Sequence, residues 1–161
     1  MKTLAIKLPL STVMLLALLA GAFAQAPAKR TVIHAGKLLD VKTGKIENNQ
    51  SIVIQGDKIV SVGPASGAQS SAGDQVIELP NATVLPGLID AHTHLTFNPH
   101  FGYESLGISV PREALIGAHN ARVTLEAGIT TVRNVGADGY ADVALRDAIN
   151  AGDVVGPHML V

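Results

Sequence analysis

The sequence predicts an α/β chain with a parallel sheet, preceded by a separate β-rich segment. Three observations predict it. From Val84 onward, short β-branched runs alternate with helical segments carrying an apolar stripe, the order of parallel strands joined by helical crossovers. Residues 31–83 show instead strand-like runs divided by Gly, Thr, Asp and Ser turns, with no helical period. No Gly-x-Gly-x-x-Gly follows a strand, so a dinucleotide-binding sheet of the same element order has no support.

Bulk composition narrows the class. The chain has 161 residues, the length of one ordinary domain, and a formal net charge of −1. Basic residues are not clustered, so nucleic acid is not an expected partner. There is no cysteine, which excludes disulfides, thiolate metal ligands and a cysteine nucleophile.

Residues 1–24 read as a secretory signal peptide. Lys2 and Lys7 form its basic start, residues 8–20 its apolar centre, and Ala22-Phe23-Ala24 a small-x-small cleavage site. The apolar run falls short of the ~20 residues a membrane-spanning helix needs. The expected mature protein starts at Gln25, is periplasmic or secreted, and keeps no stable membrane anchor; loss of the two lysines takes its charge from −1 to −3. Residues 25–30 read as a linker.

The β segment spans residues 31–83. Residues 31–34 and 37–39 are expected as two short strands separated by Gly36, with a turn at Thr43-Gly44. Residues 51–55 and 58–62 flank Gly56-Asp57, a two-residue hairpin signal. A Ser- and Gly-rich loop over residues 64–74 leads to runs at 75–79 and 82–85. His34 lies among these strands and is read as structural.

The second part, residues 84–161, opens on Pro86-Gly87-Leu88-Ile89-Asp90-Ala91-His92-Thr93-His94-Leu95. As a strand over 88–95, strict alternation puts Asp90, His92 and His94 on one face. Two imidazoles two residues apart can share one metal ion, zinc or another divalent metal. Asp90, one step back, is a candidate to orient an imidazole. A cupin-like jelly roll also uses His-x-His on a strand, but wants a carboxylate a few residues on; the next here is Glu104. The loop after His94 carries Phe97, His100, Phe101 and Tyr103, candidates to line a substrate pocket.

Pro111 opens a helix with Ala114, Leu115, Ala118, Ala121 and Leu125 as its apolar stripe, His119 beside it, and Gly128 as its stop. Residues 129–135 form the next strand, and its Asn134 is a further pocket-lining candidate. A second helix covers 141–151, with Asp142 and Arg146 as an i,i+4 pair and Gly152 as its stop. Residues 156–161 begin a third strand, with His158 at its entry.

Pro86 to His94 resembles the start of the barrel in the metal-dependent amidohydrolase superfamily, where P-G-[LF]-[IV]-D-x-H-x-H marks the first barrel strand. Ala127-Gly128-Ile129-Thr130-Thr131-Val132-Arg133 is similar to that family's A-G-x-T-T-V-R, in the flavour of its imidazolonepropionase and Xaa-Pro dipeptidase branch. Members often have Asp next; here it is Asn134, which removes a negative charge. The resemblance implies an incomplete (β/α)8 TIM barrel, the first two βα units and the start of a third strand, preceded by part of a small β-sandwich. It implies that His92 and His94 bind a divalent metal, zinc foremost, with one or two ions in the full-length protein.

It further implies hydrolysis of an amide or peptide C–N bond in a small molecule (a dipeptide, an N-acyl amino acid or a cyclic amide) by a metal-activated water. The proton-shuttling Asp, two more His and a bridging carboxylated Lys or Glu are expected downstream, so no catalytic residue is assigned here. Lys58 is the last lysine, and a barrel takes about 250 residues. These 161 residues therefore read as the N-terminal portion of a secreted enzyme. The alternative is a truncated, non-catalytic chain, inactive in isolation. Homo-oligomerisation remains open to the full-length protein.

Overall fold

The computed structural model describes residues 29–68, 70–98 and 107–161. The expected leader and the loop residues His100, Phe101 and Tyr103 lie outside them. Among the described residues no helix is long and apolar enough to cross a membrane. The chain divides into two compact units, through Val84 and from Leu85.

The first unit is one four-stranded sheet. Its strands are β1 (Arg30–Asp40), β2 (Lys45–Gln55), β3 (Lys58–Pro64) and β4 (Gln75–Val84), in the order β3-β2-β1-β4. β1 pairs antiparallel with β2 and parallel with β4, and β2 pairs antiparallel with β3. Arg30, expected in the linker, is already in β1 and is ion-paired with Asp74.

Two expected breaks are absent. β1 runs unbroken through Gly36, and β4 runs unbroken through Pro80. Gly36 is not a turn residue but a point of close approach. β4 bulges there, with Ala35 opposite Leu79 and Lys37 opposite Thr83, and a Cβ on Gly36 would lie 1.9 Å from the Pro80 carbonyl oxygen. β2 is also longer than its apolar run, because the polar residues from Lys45 onward pair with the end of β1.

The turn before β2 is tied by Asp40. Its carboxylate accepts from the Lys42 N–H at 2.9 Å and the Thr43 hydroxyl at 2.6 Å. Those bonds, the Thr43 hydroxyl foremost, hold its pKa below the ordinary value. The Gly56-Asp57 hairpin forms as the sequence indicates, with Gly56 at φ +63°.

The second unit is a three-stranded parallel sheet with two helices. Its elements run β5 (Leu88–Thr93), α1 (Val110–Glu126), β6 (Ile129–Asn134), α2 (Ala141–Ala151) and β7 (His158–Leu160), with strand order β5-β6-β7. Leu95, Ala121, Val132, Leu145 and Met159 form the core between sheet and helices. The buried line of α1 is Glu113, Gly117 and Ala121, one turn apart, whereas Leu115 from the expected stripe is 65% exposed. The helix is rotated toward its small residues because it packs close. A Cβ on Gly117 would sit 2.9 Å from the Leu145 side chain and 3.0 Å from that of Thr96. Gly128 (φ +93°) and Gly152 (φ +83°) end the two helices in the left-handed conformation, as expected. The Asp142–Arg146 pair does not form. Arg146 turns to Asp147 at 2.8 Å, while Asp142 is taken by Asn134.

Candidate metal centre

The start of β5 explains the Pro-Gly that precedes it. A Cβ on Gly87 would lie 2.1 Å from the Thr130 hydroxyl, so only glycine lets the strand enter beside β6. The Leu88 N–H then donates to the Gly128 carbonyl at 2.9 Å, joining the strand's entry to the end of α1.

Further along, plain alternation is interrupted. Asp90 lies opposite Val132 and Thr93 opposite Asn134, so β5 carries one residue more than β6 between those pairs. Asp90, expected on the same face as both histidines, is separated from them by this bulge. Its carboxylate accepts from the backbone N–H of His92 at 3.0 Å rather than from an imidazole. The Ala91 carbonyl is taken by the Arg133 Nε–H at 2.9 Å. The strand ends at Thr93, so His94 stands one residue past it.

His92 and His94 are both exposed and meet edge to face, with ring centroids 5.5 Å apart and planes at 68°. Two imidazoles bound to one zinc at tetrahedral positions have centroids roughly 5 Å apart, given Zn–N bonds of about 2 Å. The pair fits that separation. His94 has a second favourable feature: its Nδ1 lies 3.3 Å from the Gly136 carbonyl oxygen. Donation to a backbone carbonyl fixes the tautomer and leaves Nε2 as the coordinating nitrogen. Gly136 is close because it has no side chain; a Cβ there would come within 3.3 Å of the His94 ring. Phe97 stacks on His94, with centroids 5.0 Å apart and planes at 9°. Among the described residues no group of three or more His, Cys, Asp or Glu gathers at one point. The donor set here is two imidazoles.

Two asparagines hold the backbone just past His94. The Leu95 N–H donates to Asn134 Oδ1 at 2.7 Å, and the Leu95 carbonyl accepts from Asn120 Nδ2 at 2.7 Å. Asn120 also reaches the Phe97 carbonyl at 3.2 Å. It carried no sequence signal, because a polar residue at a helical position shows nothing of its partner. Asn134 borders a cleft of about 510 Å³ with Val135, Gly136, Tyr140 and Asp142. It is itself only 4% exposed, and its amide is engaged within the fold rather than presented to a ligand. A second cleft, about 700 Å³, is lined by His94, Leu95 and Phe97 on one side and by His119, Asn120 and Val123 of α1 on the other. His34 lies in the first unit, its Nδ1 2.7 Å from Glu78. His158 is exposed at the entry of β7.

Residues 83–161 match the amidohydrolase family. An adenine deaminase of Paracoccus denitrificans is 35% identical over 71 residues, 44% of this chain and 12% of its own length. An imidazolonepropionase of Photorhabdus laumondii is 42% identical over 53 residues, 33% of this chain and 12% of its own. Among solved structures, a Xaa-Pro dipeptidase with methionine in its active site superposes with a TM-score of 0.74 at 37% identity, over 82% of this chain and 32% of that one. An ochratoxinase from A. niger gives 0.68 at 28% identity, over 83% and 31%. The chain thus spans about a third of the length of these solved relatives. Through residues 83–161 it belongs to the amidohydrolase family.

Proposed function

We propose that His92 and His94 are the first two ligands of a divalent-metal centre, zinc foremost, in a secreted hydrolase of carbon–nitrogen bonds. The observation that carries this reading is the imidazole pair at the C-terminal end of β5, spaced for one ion, with the Nδ1 of His94 directed to a backbone carbonyl. A metal bound there would activate a water molecule and polarise the scissile carbonyl. The chain's own residues supply the rest of the local design. Asp90 fixes the backbone at His92, Asn120 and Asn134 fix it past His94, and Phe97 covers one face of the His94 ring.

Two imidazoles fall short of the three protein ligands usual for catalytic zinc. The further ligands and the proton-transferring carboxylate are assigned to later strands of a (β/α)8 barrel, of which β5, β6 and β7 are the first three. Periplasmic or extracellular location follows from the leader, and release of the mature chain at Gln25 from its Ala22-Phe23-Ala24 site. The substrate class is a small amide, in keeping with a solved relative named as a Xaa-Pro dipeptidase; relatives named as deaminases share only the cleavage of a carbon–nitrogen bond.

The test is a zinc-loaded assay of the intact protein against dipeptides, N-acyl amino acids and cyclic amides. Turnover of one class, lost on chelation and restored by zinc, is the expected result. Metal-loaded, folded protein inert toward all three would remove the hydrolase reading.

A further inference from the structure

We infer that Asn134 is a positioning residue for His94, acting through the carbonyl of Gly136. The inference rests on the reading of His94 as a metal ligand, but its geometry stands by itself. The amide of Asn134 is buried and every one of its groups is used. Oδ1 accepts from the Leu95 N–H at 2.7 Å, with the Thr93 hydroxyl at 3.5 Å. Nδ2 donates to the Gly136 carbonyl at 3.0 Å and to Asp142 Oδ2 at 3.1 Å. The backbone N–H of Leu95 can only donate, and the Asp142 carboxylate and the Gly136 carbonyl can only accept. The orientation of the amide is therefore fixed by its partners.

The Gly136 carbonyl has two lone pairs. One takes the Asn134 Nδ2–H and the other faces His94 Nδ1 at 3.3 Å. Asn134 thus aims the oxygen that selects the His94 tautomer. Through Leu95 it also holds the backbone that carries the ring. The bond from the Leu95 N–H to Asn134 Oδ1 is buried, so losing it leaves an unpaired group rather than a rehydrated one, while the His94 contact with the Gly136 carbonyl lies at the exposed edge of the same network.

The same contacts explain why asparagine and not aspartate stands at this position. A carboxylate could still accept from Leu95, but it could not donate to Gly136. It would also face the Asp142 carboxylate at the distance Nδ2 now occupies. Asn134 and Asp142 are therefore a matched donor–acceptor pair.

The experiment uses the full chain labelled with ¹⁵N-histidine. It reads the tautomers of His92 and His94 in the metal-free protein, at a pH where both rings are neutral, and then Co²⁺ affinity. Three variants are compared: Asn134→Ala, the exchange Asn134→Asp with Asp142→Asn, and His94→Ala. Asn134→Ala should move His94, and not His92, from the Nδ1-protonated to the Nε2-protonated form. It should also weaken Co²⁺ binding by roughly ten- to a hundred-fold.

The double exchange restores a donor–acceptor pair between the two side chains, and with it thermal stability, but leaves the Gly136 carbonyl without its amide donor. It should therefore keep the altered His94 tautomer. It also carries the test if Asn134→Ala does not fold. A wild-type His94 tautomer in either folded variant would overturn the inference and reduce Asn134 to a structural residue. Unchanged Co²⁺ affinity in His94→Ala would overturn the ligand reading instead, and the metal-free tautomer measurement distinguishes the two failures.

Discussion

Glu113 occupies the first turn of α1, only 8% exposed, and its Oε2 has no hydrogen-bond partner. Burial, and secondarily the negative charge of Asp138, pushes its carboxyl above the ordinary value. A raised carboxyl pKa means that the folded chain holds this proton more tightly than the unfolded one. Its contribution is most favourable below the unfolded pKa and is lost as pH rises through the folded one. Glu113→Gln should therefore leave the melting temperature unchanged near pH 4 and raise it at pH 7; equal effects at both pH values would contradict the account.

His92 and His94 could be read from the sequence because a His-x-His after Pro-Gly is a local pattern with one economical chemical use. Glu113 and Asn120 could not, and Asn134 was legible only as a pocket-lining candidate, not as the buried hydrogen-bonding residue it is. Each is a polar residue whose importance lies in partners 23 to 39 positions away or in a loop of another βα unit. Nothing in the local pattern encodes those partners.

At the scale of elements, the helices and hairpin were legible and the strand lengths were not. Periodicity and terminal glycines locate α1 and α2, and Gly56-Asp57 locates the β2–β3 turn, because these signals are local. The strands β1 and β4 were read as broken at Gly36 and at Pro80-Asn81. Both irregularities belong to one feature, the bulge of β4 over Gly36, and only pairing reveals it. Gly36→Ala tests this directly. A Cβ 1.9 Å from a backbone oxygen cannot be relieved by a side-chain rotation, so destabilisation should reach roughly 3 kcal/mol or more by chemical denaturation. A cost below about 1 kcal/mol would show that the two strands are not packed as described. The rotation of α1 away from Leu115 has a similar origin. Its stripe was read from hydrophobicity, but the contact with Thr96 and Leu145 is set by the absence of a side chain at Gly117.

At the scale of the molecule, both sheets keep unpaired edges among the described residues: β3 and β4 in the first unit, β5 and β7 in the second. Large apolar residues are exposed with them, including Ile89 at 74%, Ile59 at 66%, Leu88 at 58% and Leu160 at 52%. Open edges and apolar surface favour association. The chain of residues 25–161 alone should sediment as oligomers at micromolar concentration; a monodisperse monomer would contradict this reading of its surfaces. The parallel order of β5, β6 and β7 was legible, because strands separated by helices must run the same way. The bulge that separates Asp90 from the histidines was not, since it depends on how β5 registers with β6. The central claim is that His92 and His94 hold one metal jointly, and the most direct measurement is metal content by elemental analysis of the intact protein and of His92→Ala and His94→Ala. The account predicts that each substitution removes the ion while the circular dichroism spectrum is kept; full metal content in either variant would contradict it.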